Sequence, residues 1–316
     1  MTNLGDGRNA LEADRNRLHF AVPDPLLVTV FDPLEEMMKA LVWFVTGASR
    51  GFGLEIARAA LNRGDSVVAA ARDPRSVERA LGQHEQLLPV SLDVTNEQQA
   101  QAAVAAALAK FGQIDVLVNN AGRGLVGAVE ETSAAEVRSV FAVNVDGLLT
   151  VSRAVLPSMR ERRAGRILNL SSVGGFASWP GWGVYCATKF AVEGLSEAMH
   201  AELLPLGIHV TVIEPGPFRT DFLDASSLGR VNRVIEDYKK TAGTARDWAD
   251  SSHSAQPGDP VKGAAAIIEI GTAENPPVRL QLGADSVAAV EAKLTQVAEI
   301  ATWRKLAEST GYGDKV

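Results

Sequence analysis

Short apolar runs separated by helical patterns constrain the fold of this chain more than any other feature. Leu41–Val45, Ser66–Ala71, Leu87–Leu92, Ile114–Val118, Arg166–Leu170, Ile208–Ile213 and Val278–Leu282 read as strands. Most are continuously apolar rather than alternating, as in strands covered on both faces. Helical patterns run from the glycines after the first strand to about Asn62, and over Gln98–Lys110, Ser133–Arg163 (interrupted near Asn144), Val184–Leu204 and Pro260–Ile270. Strands alternating with helices build βαβ units. The expected fold class is therefore α/β: one domain with a doubly wound parallel sheet of about seven strands and helices on both faces. The 316 residues are 46% hydrophobic and 22% charged, enough apolar material for such a core.

Composition excludes several functions. The formal charge is −7 and no run of Lys and Arg stands out, so neither nucleic acid nor an anionic membrane is an expected partner. Cys186 is the one cysteine, which precludes an intramolecular disulfide and fits a reducing, cytoplasmic location. The five histidines lack ligand spacing, so no metal is expected. No apolar run reaches the ~18 residues of a membrane span.

Residues 1–37 are turn-rich, without sustained period, and lack the pattern of a signal peptide. They read as a disordered extension upstream of a true start at Met38, or as an arm that packs on a neighbouring subunit. The domain is then 38–316. Its polar segment 224–258 reads as mobile, and 218–256 as a lid over substrate.

Between the first strand and first helix lie Gly47, Ser49, Arg50, Gly51, Phe52 and Gly53. Glycine permits a tight turn and a close ligand, and a helix N-terminus offers free N–H groups to a pyrophosphate. The spacing Gly-x3-Gly-x-Gly serves a dinucleotide or, read alone, a structural strand–helix turn. The second strand ends Ala71-Arg72, where NAD binders usually place an acid for the ribose. Arg72 and Arg50 are suited to a 2′-phosphate, which predicts NADP(H) over NAD(H). In the alternative, Asp73 binds the ribose and Arg72 is a solvated charge.

Tyr185 and Lys189 are four apart on a predicted helix and share a face. A nearby cation lowers a phenol's pKa toward the range useful for proton transfer. Alone, such a pair is commonly a surface pair. Ser172 follows a central strand, where its hydroxyl faces the ligand crevice and can stabilise developing negative charge. Asn144 interrupts a helical pattern, either to hold a water or simply as a kink.

These motifs, with Asn119-Asn120-Ala121-Gly122 and Pro215-Gly216, fall in the order and spacing of the short-chain dehydrogenase/reductase family, which the chain resembles over about 40–285. It looks like the single-domain branch that includes 17β-hydroxysteroid dehydrogenase type 1 and bacterial ketoreductases. The resemblance implies a Rossmann-type fold and NADP(H)-dependent hydride transfer between a ketone or aldehyde and an alcohol. It implies that Tyr185 is the general acid/base, that Lys189 binds the nicotinamide ribose, that Ser172 holds the carbonyl and that Asn144 anchors a relay water. Asp93 and Val94 would contact adenine, and Asn120, Ala121 and Gly122 its ribose side. Pro215 and Gly216 would line the cofactor, and after them Phe218 and Thr220 would bind its carboxamide. Relatives assemble through the helices that hold Asn144–Arg163 and Val184–Leu204, so a homodimer or homotetramer is expected. A non-catalytic NADP(H) sensor is the alternative, as is an epimerase or dehydratase. Phe176, Trp179, Trp182, Phe222 and Leu223 suggest an apolar small-molecule substrate, unless the tryptophans only pack the loop or a subunit contact. Cys186 reads as a buried, inert thiol rather than a redox sensor.

Overall fold

The computed structural model describes residues 40–298 and 300–312, so the segment 1–37 lies outside the described residues. The strands, in chain order, are β1 (Val42–Thr46), β2 (Ser66–Ala71), β3 (Leu87–Ser91), β4 (Val116–Asn119), β5 (Gly124–Val126), β6 (Gly165–Leu170), β7 (Ile208–Pro215), β8 (Leu228–Arg230) and β9 (Arg279–Leu282). Seven form one sheet in the order β3-β2-β1-β4-β6-β7-β9, and every pairing is parallel. The chain winds outward from β1 to β3, then crosses back to β4 on the other side of β1. Such a reversal opens a crevice beyond the carboxyl ends of the two central strands.

Side chains alternate between the faces of this sheet. Phe44, Val68, Ala70, Leu117, Ile167 and Val210 share a core with Val104, Val155 and Met159. Those last three come from helices α3 (Glu97–Phe111) and α5 (Gly147–Arg162). On the other face Trp43, Val45, Val67, Val116 and Leu168 pack with Ile56 of α1 (Gly51–Asn62) and with Ile267. Burial of a large apolar side chain stabilises by about 1.5–3 kcal/mol, so the doubly covered strands dominate folding. Trp43 is fully buried, and its indole N–H donates to Asp65 at 2.8 Å, so no polar atom is stranded.

The remaining helices are α2 (Pro74–Leu81), α4 (Ala134–Phe141), α6 (Gly183–Leu203), α7 (Ala242–Ser251), α8 (Pro260–Thr272), α9 (Ala284–Val297) and α10 (Ile300–Glu308). A π-helical turn, Ala142–Asp146, joins α4 to α5 and contains Asn144. Two segments fold differently from what their composition alone suggests. The run Ala134–Arg162 is long and apolar enough, by length and composition, to cross a bilayer, because its helices are contiguous. Here it packs as a core element, with Val151, Val155 and Met159 fully buried. The segment 224–258, read as mobile, holds β8 paired to β5, and then α7. Ala245 and Ala249 of α7 pack against Val126, Leu223 and Leu228, which orders a stretch that looks polar in sequence.

Candidate active site

The glycine turn comes first because it shapes the crevice floor. Gly47 and Gly51 have φ of +66° and +55°, left-handed values that favour glycine. A Cβ on Gly53 would stand 2.3 Å from the Gly47 carbonyl oxygen, so α1 starts hard against the turn. The Thr46 hydroxyl braces the neighbouring loop, accepting the Asn120 and Ala121 N–H groups at 2.9 and 3.0 Å. No side chain caps the N-terminus of α1 and its first turn carries no acid. Its free N–H groups, in a cradle that any Cβ would obstruct, suit a diphosphate. The residues present therefore fit a dinucleotide.

One cavity of about 1730 Å³ runs from this turn along the carboxyl edge of the sheet. Gly47, Ser49, Arg50, Gly51, Phe52, Arg72, Asp93, Val94, Asn120, Ala121, Gly122, Pro215, Gly216, Phe218 and Thr220 line it, as do Ser172, Tyr185 and Lys189. Gly53 and Asn144 stand behind the wall. Phe176 does not reach the cavity, whereas Trp179, Trp182, Phe222 and Leu223 do.

At the adenine end, Arg72 is exposed at the tip of β2. Asp73 is engaged elsewhere: it caps α2 by accepting the Arg75 N–H at 3.2 Å and pairs with the Arg75 guanidinium at 3.0 Å. Arg50 reaches across the crevice to the Ser226 hydroxyl and carbonyl and, at 2.7 Å, to the Ser227 hydroxyl. It is thus not paired with Arg72 over one phosphate site as the sequence suggested. Asp93 accepts from the Thr95 hydroxyl and N–H at 2.7 and 3.0 Å, which holds its carboxyl below the usual range, with Arg72 adding a smaller pull.

At the other end, α6 presents Tyr185 and Lys189, both buried. The Lys189 ammonium donates to the Leu170 carbonyl at 2.7 Å and lies 5.9 Å from the Tyr185 ring centre. The π-helical turn brings Asn144 behind them. Its Oδ1 accepts the Arg123 N–H and its Nδ2 donates to the Arg123 carbonyl and the Thr188 hydroxyl, each at 2.9 Å. Both N–H groups are engaged, so Asn144 can hold a water only as an acceptor. Burial pushes the Tyr185 phenol above its ordinary value, and the Ser172 hydroxyl pulls it part of the way back. In the protein alone, burial thus outweighs the depression expected from Lys189. Burial also lowers Lys189 to about 8, and Glu193 opposes that shift. Burial raises the Cys186 thiol, in keeping with an inert role.

An aromatic wall surrounds the phenol. Trp248 meets Trp182 edge-on at 6.1 Å, Trp182 meets Tyr185 at 6.0 Å, and Tyr185 meets Phe222 at 5.4 Å. Sequence reading missed Trp248, Thr244 and Lys240, which line the cavity from α7 and the loop before it. A tryptophan inside a polar stretch was the available signal. It also missed Asp285 and Ala289 of α9, for which the sequence carried none.

The family model described as short chain dehydrogenase matches residues 41–230. The chain is 40% identical over 248 residues to oxidoreductase BOA17 of Botryotinia fuckeliana (strain B05.10), covering 78% of this chain and 90% of that protein. It is also 40% identical over 207 residues to 17-beta-hydroxysteroid dehydrogenase type 1 of Homo sapiens, covering 63% of each. A crystal structure of a short-chain dehydrogenase from Streptomyces avermitilis superposes with a TM-score of 0.80 at 41% identity, covering 86% of this chain and 99% of the other. Bound cofactors differ among solved neighbours. A short chain dehydrogenase/reductase from Burkholderia phymatum was solved with NAD (TM-score 0.70, 26% identity, covering 89% and 99%). The closed form of a serine dehydrogenase was solved with NADP+ (TM-score 0.65, 28% identity, covering 77% and 94%). This chain belongs to the short chain dehydrogenase family and is an oxidoreductase of the kind that uses a nicotinamide cofactor.

Proposed function

We propose that the protein is an NADP(H)-dependent oxidoreductase that interconverts an apolar ketone or aldehyde with its alcohol. The observation that carries this reading is the convergence of Tyr185, Lys189 and Ser172 on one wall of the cavity whose floor is the glycine turn. The cofactor, held by that turn, Asp93 and the Pro215-Gly216 segment, supplies hydride when bound. The chain's own residues manage charge and the proton. In reduction, Ser172 donates a hydrogen bond to the carbonyl oxygen and Tyr185 gives that oxygen its proton. Lys189, charged beside the phenol, stabilises the phenolate that remains. In the reverse direction Tyr185 takes the alcohol proton. Asn144 fixes the Arg123 backbone and Thr188, and through them the seat of Lys189.

Arg72 supports the NADP(H) preference: among the described residues its guanidinium has no partner, it lies at the cavity edge, and Ala71 stands where an acid would repel a phosphate. Asp73, the alternative ribose ligand, is held by Arg75. One cation rather than two is then available for the 2′-phosphate. Arg72→Ala should raise the KM for NADPH about tenfold or more and leave that for NADH nearly unchanged. Steady-state kinetics with both cofactors test this; equal effects on the two would refute the assignment. The aromatic wall supports a largely apolar substrate. A homodimer or homotetramer belongs to the same proposal, with Phe190 on α6, 44% exposed, a candidate contact.

A further inference from the structure

Behind the catalytic helix lies a buried charged cluster that the mechanism above does not use. Tyr185, Lys189 and Glu193 follow one another at four-residue spacing along α6, so the glutamate sits one turn beyond the lysine. Glu193 is 6% exposed, and Ser171 and Glu214 are buried beside it. Among the described residues, Arg279 of β9 is the one cation bridging the acids: it lies 3.2 Å from Glu193 and 3.4 Å from Glu214, and it also pairs with Glu197 of α6. Gln281 donates to the far oxygen of Glu214 at 3.0 Å. One guanidinium thus serves three carboxyl groups. The free oxygen of Glu193, Oε1, and the Ser171 hydroxyl are both buried without an aligned hydrogen-bond partner. They face the same spot, 2.8 and 2.4 Å from where a Gly175 Cβ would stand, so only glycine fits there. Lys189, in turn, donates to a neutral carbonyl and, among the described residues, has no carboxylate within 4.0 Å.

We propose that Glu193 is a positioning residue whose carboxylate, steered by Arg279 and Ser171, is the counter-charge that keeps Lys189 protonated behind Tyr185. A buried cation without an opposite charge gives up its proton readily, and a carboxylate one turn away in a poorly solvated interior opposes that. Burial raises Glu193 itself to about 7, with Ser171 and Arg279 pulling it down and Glu214 pushing it up. This inference rests on the proposed function only in assigning Lys189 its partner; the charge coupling stands apart from any turnover.

The test is an NMR titration of the full chain carrying ¹³C-labelled lysine, with the Lys189 resonance identified by its loss in Lys189→Arg. Wild type should titrate near 8. In Glu193→Gln the same resonance should titrate about one unit lower, a tenfold easier deprotonation. The alkaline limb of kcat should move the same way. Ser171→Ala, which keeps the charge but removes the hydroxyl that favours it, should give a smaller shift in the same direction. An unchanged Lys189 titration in Glu193→Gln overturns the proposal. If that variant does not fold, an unchanged titration in Ser171→Ala does so. Absence of carbonyl reduction by wild type, with the titration shift present, overturns the assigned reaction and leaves the coupling standing.

Discussion

In the proposed reaction, proton transfer depends on two residues whose environments pull in opposite directions. Burial raises Tyr185, which keeps the phenol protonated at neutral pH and able to donate. Burial lowers Lys189 to about 8, so the ammonium is charged below that value and neutral above it. The charged form stabilises the phenolate, so carbonyl reduction should decline as pH rises through about 8. Initial rates with saturating cofactor across that range check the sign; a rate that climbs through the same interval would contradict it. The residues of this site were legible in the sequence because each motif is local: Tyr185-x3-Lys189 shares a helical face, and Ser172 follows a strand. What was not legible is pairing across the fold. Arg50 meets Ser226 and Ser227, 176 and 177 positions away, and nothing in local spacing marks either contact.

Elements seat the site through close approaches that tolerate little change. α8 lies against β1 so tightly that a Cβ on Gly271 would stand 2.3 Å from the Trp43 ring. Trp43 is fully buried and cannot retreat. Gly271→Ala should therefore cost about 1–3 kcal/mol through overpacking, against the small gain alanine usually gives a helix. Urea unfolding measures this, and a more stable variant would show that the helix shifts freely. The central strands were readable because continuous apolar runs signal double burial. The helix α2 carries a local signal, Asp73 as an N-cap followed by proline at the first turn, in a stretch of only eight residues. β5 and β8 have three residues each, too short for any period to register. α7 forms in a polar stretch because Ala245 and Ala249 find apolar partners supplied by distant segments.

Across the molecule, the crevice is bounded by two parts of the chain that meet through Arg50. The glycine turn belongs to the rigid sheet edge, and Ser226 and Ser227 belong to the wall that leads through β8 to α7. Their contact ties the glycine turn to that wall. Arg50→Ala should loosen that wall and speed proteolytic cleavage within 221–230, read by mass spectrometry of the first fragments; unchanged cleavage would mean that β8 pairing alone holds it. The central claim, however, concerns the chemistry where Tyr185, Lys189 and Ser172 converge. The most direct measurement compares wild type with Tyr185→Phe for NADPH oxidation over a panel of apolar ketones, with NADPH affinity determined on the same samples. The account predicts turnover in wild type, a loss of about 100-fold or more in the variant, and cofactor affinity within a few-fold. Turnover that survives removal of the phenol hydroxyl would contradict it.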